Sequence, residues 1–427
     1  MALIPDGFAQ RCAADGEFTL AARYWNGTLA LESDGDRAEL VLIEGVPVAA
    51  RTEPARRAGP GHVGIVGAAE IWDRLLAPTP DPYRNDIMPA QAFGLRVEGD
   101  QETLWQYYPA IRRVIDLLRI TRAERPGHHD PIAAKAPERT PGRPTPRFDS
   151  PVGRYVHLDL DGHDHRVYFE EAGTGLPLLL QHTAGSHGVQ WRHLFEDPWV
   201  TGHFRLIAYD LPFHGKSLPP EGRAWWAETY RLTTEFAMSV PVALAGALGL
   251  DRPAFMGCSI GGSLALDLAR WHPERFRAVI ALEPSLKVDT DVAQLAGFSH
   301  PRVTSEFKAQ VMYGLMAPQS PEPHKRETVF AYSQGWPPLF LGDLHYYLVD
   351  HDLREEGARI DTAKVAVHLL TGEYDYSATV VHGAAAHETI AGSTFAVMPG
   401  LGHFPMCEDP ERFLTHLHPV LEAVLAL

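Results

Sequence analysis

The sequence predicts an α/β protein, with a mostly parallel sheet, helices on both faces and an inserted cap, preceded by a small α+β domain. Three observations predict this class. After about residue 150, short apolar strand-like runs alternate with helical stretches, which is the pattern of a parallel sheet covered by helices. Before residue 124, strand-like runs come first and helical stretches follow. A proline-rich segment lies between the two parts and predicts a linker.

The first domain is predicted to span residues 1–124. Gly45 ends its third strand-like run, and Pro109 stands at a favourable helix start ahead of an apolar stripe. The predicted strands are Phe18–Trp25, Gly27–Glu32, Ala38–Ile43 and Ala92–Val97, and the predicted helices are Ala68–Leu76 and Pro109–Ile120.

The linker is predicted to span residues 125–149. It has almost no large apolar side chains and carries Pro126, Pro131, Pro137, Pro141, Pro144 and Pro146. Such a composition cannot form a core and should stay extended and solvated.

The second domain is predicted to span residues 150–427. Its antiparallel start leads into strand–helix repeats, and residues 285–362 show no strand pattern, which indicates an inserted cap. The predicted strands are Tyr155–Leu160, Arg166–Glu171, Leu178–Gln181, Phe204–Tyr209, Ala254–Met256, Ala278–Leu282, Val365–Leu370 and Thr394–Met398. The predicted helices are Thr229–Leu248, Gly261–Trp271, Val380–Ile390 and Pro410–Leu425.

Charge and cysteine content exclude several classes of function. The formal net charge is −16 without any run of lysine or arginine, so no nucleic-acid partner is expected. No signal peptide and no membrane span are predicted. Cys12, Cys258 and Cys407 are widely spaced, which favours reduced thiols in a cytoplasmic protein over disulfides or a zinc site. We expect no metal and no cofactor; a homodimer is the one assembly considered.

The most informative motif is residues 257–261, which read Gly-Cys-Ser-Ile-Gly between a short apolar run and an Ala/Leu-rich helical stretch. A G-x-S-x-G sequence at a strand-to-helix turn is typical of a serine nucleophile, because the turn exposes the hydroxyl above the sheet. The alternative is a glycine-rich junction at which Ser259 only caps the helix.

A serine nucleophile needs a base, and the base needs an orienting carboxylate. Asp375 follows the predicted strand Val365–Leu370, and His403 lies in a glycine loop after the strand that ends at Met398. This order predicts a Ser259–Asp375–His403 triad. Glu283, at the end of the preceding strand, is the alternative acid.

Acyl transfer also needs donors for the developing oxyanion. We assign one to the backbone amide of Ile260, directly after the nucleophile. The second is assigned to the backbone amide of Ala184, in the loop after the strand Leu178–Gln181; an ordinary turn is the alternative. His182 and His214 lie on loops at the same edge and are expected to shape the site.

Residues 150–427 resemble the α/β-hydrolase family in this elbow, in the loop 210–217 (Asp-Leu-Pro-Phe-His-Gly-Lys-Ser), in the acid and in the Gly-His-Phe of residues 402–404. Family members often read His-Gly where this chain has His182-Thr183, which bears on the second oxyanion donor. The resemblance implies hydrolysis through an acyl-enzyme, and Ser259 excludes the family's dehalogenases and epoxide hydrolases, which use an aspartate.

The first domain resembles the sterol carrier protein type 2 fold in the rhythm of residues 24–29, the glycine hairpin after them and residues 71–76. This resemblance implies an apolar tunnel. The alternative is a domain that only packs on the second one or forms a dimer.

The expected partner is a small-molecule ester, because the cap is rich in aromatic residues that can line an apolar pocket. Trp191, Phe213 and Tyr347 are the predicted substrate contacts. The first hypothesis is hydrolysis of small to medium apolar or aromatic carboxylic esters. Two others stay open: cleavage of a carbon–carbon bond in a diketone-like substrate by the same triad, and a lipid-binding or carrier protein with an inactive hydrolase domain.

Overall fold

A computed structural model describes residues 3–52, 59–124, 148–290 and 292–427. They form two compact units, one from residues up to 124 together with 300–314, the other from residues 148–299 and 315–427. The segment 300–314, which the sequence places in the cap of the second domain, is therefore grouped with the first unit. Most of the predicted linker, residues 125–147, lies outside the described residues.

The first unit contains a five-stranded sheet in the order β3-β2-β1-β4-β5. Its strands are β1 (Gly27–Ser33), β2 (Asp36–Ile43), β3 (Val46–Thr52), β4 (His62–Gly67) and β5 (Arg96–Gly99). β1 and β4 are parallel, and the other neighbours are antiparallel. The α-helices are Phe8–Ala14, Gly16–Ala21, Ala69–Leu75, Ile87–Ala90, Gln101–Ala123 and Ser305–Gly314.

Two predicted strands of this unit are wrong in whole or in part. Ala92–Val97 begins in the 3-10 helix Gln91–Phe93 and reaches a strand only at Arg96, where β5 starts. Phe18–Trp25 begins instead in the helix Gly16–Ala21, because Asp15 caps that helix by accepting a hydrogen bond from the amide of Phe18 at 2.7 Å. The capping residue outweighs the strand preference of the aromatic positions. The last helix also starts earlier than predicted, at Gln101, and takes Pro109 into its interior beside the non-helical backbone of Tyr107.

The second unit contains an eight-stranded sheet in the order β13-β12-β11-β10-β8-β9-β7-β6. β6 and β7 are antiparallel, as is β7 with β9, and the remaining neighbours are parallel. The strands are β6 (Val152–Leu160), β7 (His163–Ala172), β8 (Leu176–Gln181), β9 (Phe204–Tyr209), β10 (Ala254–Cys258), β11 (Ala278–Leu282), β12 (Ala366–Gly372) and β13 (Thr394–Met398).

Helices connect these strands and build the cap. The helices outside the cap are Arg192–Glu196, Pro198–His203, Thr234–Ala247, Ile260–Trp271, Val380–Thr389, Pro405–Glu408 and Pro410–Leu425. Within this unit the cap comprises the helices Glu322–Ser333 and Leu339–His345 and the π-helical turn Tyr346–Asp350. In the part of the chain that the structure describes, no helix combines the length and apolarity needed to cross a membrane.

The parallel strands bring the predicted functional loops to one place. β10 and β11 are buried along their whole length, so they lie in the centre of the sheet. The elbow follows β10, the acid follows β12 and the histidine follows β13. Because parallel strands end at a common edge, these loops meet there.

Candidate active site

Ser259 occupies a strained backbone position between β10 and the helix Ile260–Trp271. Its φ of 60° and ψ of −115° lie outside the regions favoured by side-chain-bearing residues. Its amide donates to the carbonyl oxygen of Leu282 at 3.0 Å. The flanking glycines are required, because a β-carbon at Gly261 would stand 2.8 Å from the side chain of Gln181 and one at Gly262 would overlap the Leu282 carbonyl.

His403 and Asp375 are joined directly. Nδ1 of His403 lies 2.7 Å from Oδ2 of Asp375, and both side chains are buried. The other carboxylate oxygen accepts the amide of Ser377 at 2.7 Å. With Nδ1 committed to the carboxylate, Nε2 is the nitrogen available for proton transfer.

The histidine loop lies against the elbow. The thiol of Cys258, the residue before Ser259, donates to the carbonyl oxygen of His403 at 3.1 Å. Within the described residues, no hydrogen bond joins Oγ of Ser259 to the imidazole ring. The serine hydroxyl therefore has no partner on the imidazole, and catalytic hydrogen bonds of this kind often tighten only in the substrate complex.

Glu283, the alternative acid, has a different role. Both oxygens of its buried carboxyl lie 3.0 Å from the amide of Gly372, and the carboxyl also hydrogen-bonds Asp375. Burial, reinforced by the negative charge of Asp375, raises the pKa of Glu283 well above its ordinary value. The carboxyl of Glu283 is thus directed at Gly372 and Asp375, and the partner of His403 is Asp375.

In the loop after β8, the amide of Ala184 differs from those of its neighbours. The amide of Thr183 donates to Oε1 of Gln190 at 3.0 Å, that of Gly185 to Asp343 at 2.6 Å, and that of Ser186 to the carbonyl of Thr183 at 3.3 Å. Within the described residues, the amide of Ala184 has no partner, which fits its predicted place in the oxyanion hole.

The second predicted oxyanion donor is at the start of a helix. Ile260 is the first residue of the helix that follows the elbow. The first amides of a helix have no partner inside it and carry its positive end, so the amide of Ile260 can receive an anion. One predicted donor therefore lies in a loop and the other at the start of a helix, and each has an N–H group without a partner among the described residues.

Glu408 was missed by sequence reasoning. One of its oxygens accepts the amides of Gly402 and Phe404, the two neighbours of His403, at 2.9 and 3.0 Å. The other accepts the amide of Ala317 at 2.7 Å and the hydroxyl of Ser320 at 2.8 Å. Burial outweighs these hydrogen bonds and raises the pKa of Glu408 to about 7.

The three predicted substrate contacts lie in different surroundings. Trp191 is fully buried in the 3-10 helix Gly188–Trp191. Tyr347 is also buried, with its hydroxyl 3.5 Å from Oγ of Ser377, so it lies beside the loop of the acid. Phe213 lines a cavity of about 290 Å³, where its ring stacks at 6.2 Å on Trp336 of the cap.

Comparisons with known proteins cover much of this unit. Residues 177–311 match the model of a family described as alpha/beta hydrolase fold. An uncharacterised protein of Mycobacterium bovis is 24% identical over 276 residues, which cover 59% of this chain and 77% of that protein. A 2-hydroxy-6-oxo-6-phenylhexa-2,4-dienoate hydrolase of Burkholderia cepacia is 27% identical over 139 residues, 32% of this chain and 46% of that enzyme.

A solved structure gives the same architecture. A thermophilic esterase from Thermogutta terrifontis superposes with a TM-score of 0.54 at 22% identity, covering 64% of this chain and 99% of the esterase. The family match and this likeness confirm the fold class predicted from the sequence. The resemblance of the first unit to the sterol carrier fold stays a prediction.

Proposed function

We propose that this chain, whose C-terminal unit has the α/β-hydrolase fold, is a serine hydrolase that cleaves carboxylic esters of small to medium apolar or aromatic substrates. One observation carries the proposal. A serine on a strained turn, a histidine hydrogen-bonded to a buried carboxylate at 2.7 Å and two unused backbone amides lie on loops at one sheet edge. Together these groups supply a nucleophile, a base and an oxyanion hole.

The reaction follows from these roles. Nε2 of His403 takes the hydroxyl proton of Ser259 as Oγ attacks the ester carbonyl, and the oxyanion receives the amides of Ala184 and Ile260. The protonated imidazole then gives its proton to the leaving alcohol, which leaves an acyl-enzyme. Water attacks the acyl-enzyme with His403 again as base, and the carboxylic acid is released. Asp375 keeps Nδ1 protonated throughout.

The aromatic surface supports an apolar or aromatic substrate. Phe213, Trp225, Tyr230 and Trp336 line the cavity of about 290 Å³ together. Its aromatic side chains favour aryl or alkyl groups. Asp161, His165, Arg223, Glu228 and Arg231 also line it, whereas none of the triad residues does. Trp191 and Tyr347 are buried, so a contact of either with substrate would need a side-chain movement.

The test is labelling and turnover of Ser259→Ala. We expect the wild-type protein to react with a fluorophosphonate probe and to hydrolyse p-nitrophenyl acyl esters, and the variant to do neither. Ser263→Ala is the matched control, because Ser263 is buried one turn along the same helix. Full activity in Ser259→Ala would overturn the proposal. An unlabelled wild-type protein without turnover would favour the carrier hypothesis instead.

A second candidate is carbon–carbon bond hydrolysis. It is favoured by the similarity to the Burkholderia cepacia hydrolase, whose name describes a dienoate substrate. A comparison of kcat/KM for a vinylogous diketone acid and for aryl esters separates the two, since the true substrate class should be preferred by at least about tenfold, or 1.4 kcal/mol. A cytoplasmic homodimer stays a prediction, checked by light scattering and cell fractionation.

A further inference from the structure

The cap contributes one buried carboxylate to the catalytic edge of the sheet. Asp343, on the cap helix Leu339–His345, is fully buried. Its Oδ2 accepts the amide of Gly185 at 2.6 Å and Nε2 of His214 at 2.8 Å, and its Oδ1 accepts the hydroxyl of Tyr230 at 3.0 Å. One side chain of the cap therefore holds three segments of the hydrolase unit.

The partner His214 is positively charged. Its Nδ1 faces the carbonyl oxygen of Pro212 at 3.0 Å and its Nε2 faces Asp343, so both nitrogens donate. Burial by itself lowers the pKa of His214, but the charge and hydrogen bond of Asp343 outweigh it and the pKa lies above its ordinary value, with Asp210 adding to the effect. The pair is a buried ion pair, which is costly to break from one side.

His182, the ring beside this pair, is neutral. The two imidazole centroids are 4.8 Å apart. Nε2 of His182 accepts the amide of Leu211 at 3.1 Å, so it carries no proton. Burial and then the charge of His214 lower the pKa of His182 well below its ordinary value. Of these two rings, His214 therefore carries the positive charge, and that charge is directed at Asp343.

The same cap helix presses on the loop of the proposed oxyanion hole. Gly185 has a φ of 63°, and a β-carbon there would stand 2.8 Å from the ring of Phe340. The peptide that carries the amide of Ala184 lies between two anchored amides, because Thr183 is held by Gln190 and Gly185 by Asp343. Asp343 thus fixes the peptide that follows, while the carbonyl of the Ala184 peptide itself, that of Thr183, accepts Nδ1 of His182 at 2.8 Å.

We propose that Asp343 is a positioning residue for the oxyanion hole. It holds the Ala184 amide in the orientation that receives the oxyanion only while the cap helix Leu339–His345 stays packed on the loop after β8. The inference rests on the proposed function, since it concerns the orientation of the Ala184 amide during acyl transfer. As a consequence, the position of the cap is coupled to stabilisation of the transition state. Substrates that leave the cap helix packed on the loop are turned over fastest.

The test compares Asp343→Ala with Asp343→Asn. Loss of the acceptor should lower kcat of the alanine variant by up to about 100- to 1000-fold, the range for a lost oxyanion donor, with KM within about threefold. Asparagine keeps an oxygen for the Gly185 amide and should recover at least about tenfold of the lost kcat. An alkyl boronic acid, which mimics the tetrahedral state, should bind the alanine variant more weakly by the factor lost in kcat/KM.

Matched variants keep the outcome clear. Asp350→Ala removes another cap carboxylate, one that accepts the amide of Thr234 at 2.5 Å, and should leave kcat unchanged. If Asp343→Ala does not fold, the double variant Asp343→Ala/His214→Asn removes both charges and should fold yet keep the kcat defect. Wild-type kcat in a folded acceptor-free variant, or a change in KM alone, would overturn the inference. Full activity of Ser259→Ala would instead overturn the proposed function.

Discussion

Replacement of Glu408 by glutamine should change the pH dependence of stability in a direction that the structure determines. The carboxylate accepts four hydrogen bonds: two from the amides beside His403, and two from Ala317 and Ser320. Glutamine has one acceptor oxygen. We expect that oxygen to face Gly402 and Phe404, because the hydroxyl of Ser320 can turn and accept from the new NH2 group, whereas a backbone amide cannot.

The magnitude comes from two opposing effects. Glutamine leaves the amide of Ala317 unpaired, which costs about 1–3 kcal/mol. The variant also removes a buried carboxylate whose pKa is raised from 4.5 to about 7, a shift equivalent to about 3 kcal/mol against the ionised form. The two nearly cancel above pH 7, so Glu408→Gln should fold there with a stability close to wild type, and kcat should fall less than about tenfold.

The sign of the pH effect follows from the raised pKa. Glu408 holds its proton more tightly in the folded chain, so its contribution to stability is greatest below its ordinary pKa of 4.5 and is lost as the pH rises through about 7. Between pH 8 and pH 5 the wild-type protein gains about 2.5 kcal/mol that the glutamine variant cannot gain. At 2–4 °C per kcal/mol, the wild-type advantage in Tm should grow by about 5–10 °C.

The assay is thermal unfolding of both proteins at pH 5, 6, 7 and 8 in one buffer series. All other titrating groups are shared, so the difference between the two curves isolates Glu408. Glu408→Ala, which leaves four polar groups unpaired, is the comparison for a lost acceptor and should lose more stability and more kcat than glutamine. A Tm difference that is the same at every pH would refute this account.

Two further variants test the elbow and the cap. Gly262→Ala should unfold more easily by about 1–3 kcal/mol and lose most ester hydrolysis, because its β-carbon would overlap the carbonyl of Leu282. Gly246→Ala, whose β-carbon would meet only the side chain of Arg275 at an ordinary contact distance of 3.8 Å, should behave as wild type in the same melt and assay. His351→Asn should cost about 3–5 kcal/mol near neutral pH, because the ring donates to Asp267 and to a carbonyl oxygen at 2.9 Å each and holds a buried charge.

The contribution of His351 to the stability of the wild-type protein should depend on pH in a direction that the structure determines. Burial lowers the pKa of His351, but the charge of Asp267 outweighs burial and raises it overall; the hydroxyl of Tyr346 shares the same carboxylate, and Lys287 opposes the shift. Stability from the pair is complete below the unfolded pKa of about 6.5 and is lost as the pH rises through the higher folded pKa. Denaturant unfolding from pH 6 to 9 should show this loss in wild type only; parallel curves for the two proteins would contradict it.

The sequence predicts strand boundaries most accurately for the short apolar strands of the second unit. β9, β11 and β13 begin and end at the predicted residues, because each is a short apolar run bounded by polar or turn residues. The region around Phe18 fails because Asp15, a single capping side chain, decides between strand and helix. The grouping of residues 300–314 with the first unit depends on tertiary packing, which no local pattern reports.

The residues of the candidate site also fall into those that the sequence predicts and those that it does not. Ser259, Asp375 and His403 could be predicted because their places are tied to strand ends and to chain order. Asp343 could not, because it and Gly185 are 158 residues apart and a carboxylate in a cap helix resembles any solvated one. The role of a residue such as Asp343 depends on its burial and on its hydrogen-bond partners, and both are set by the tertiary fold.

Glu283 provides the sharpest test of which carboxyl serves His403. A neutral carboxyl that donates to Asp375 and accepts the amide of Gly372 has the hydrogen-bonding pattern of a glutamine side chain. Glu283→Gln should therefore keep kcat within about threefold of wild type, whereas Asp375→Asn should lose about 10⁴-fold, as expected when an imidazole is held in the wrong tautomer. If Glu283 were the acid, the order of the two losses would be reversed, and steady-state ester hydrolysis by the two folded variants decides between these outcomes.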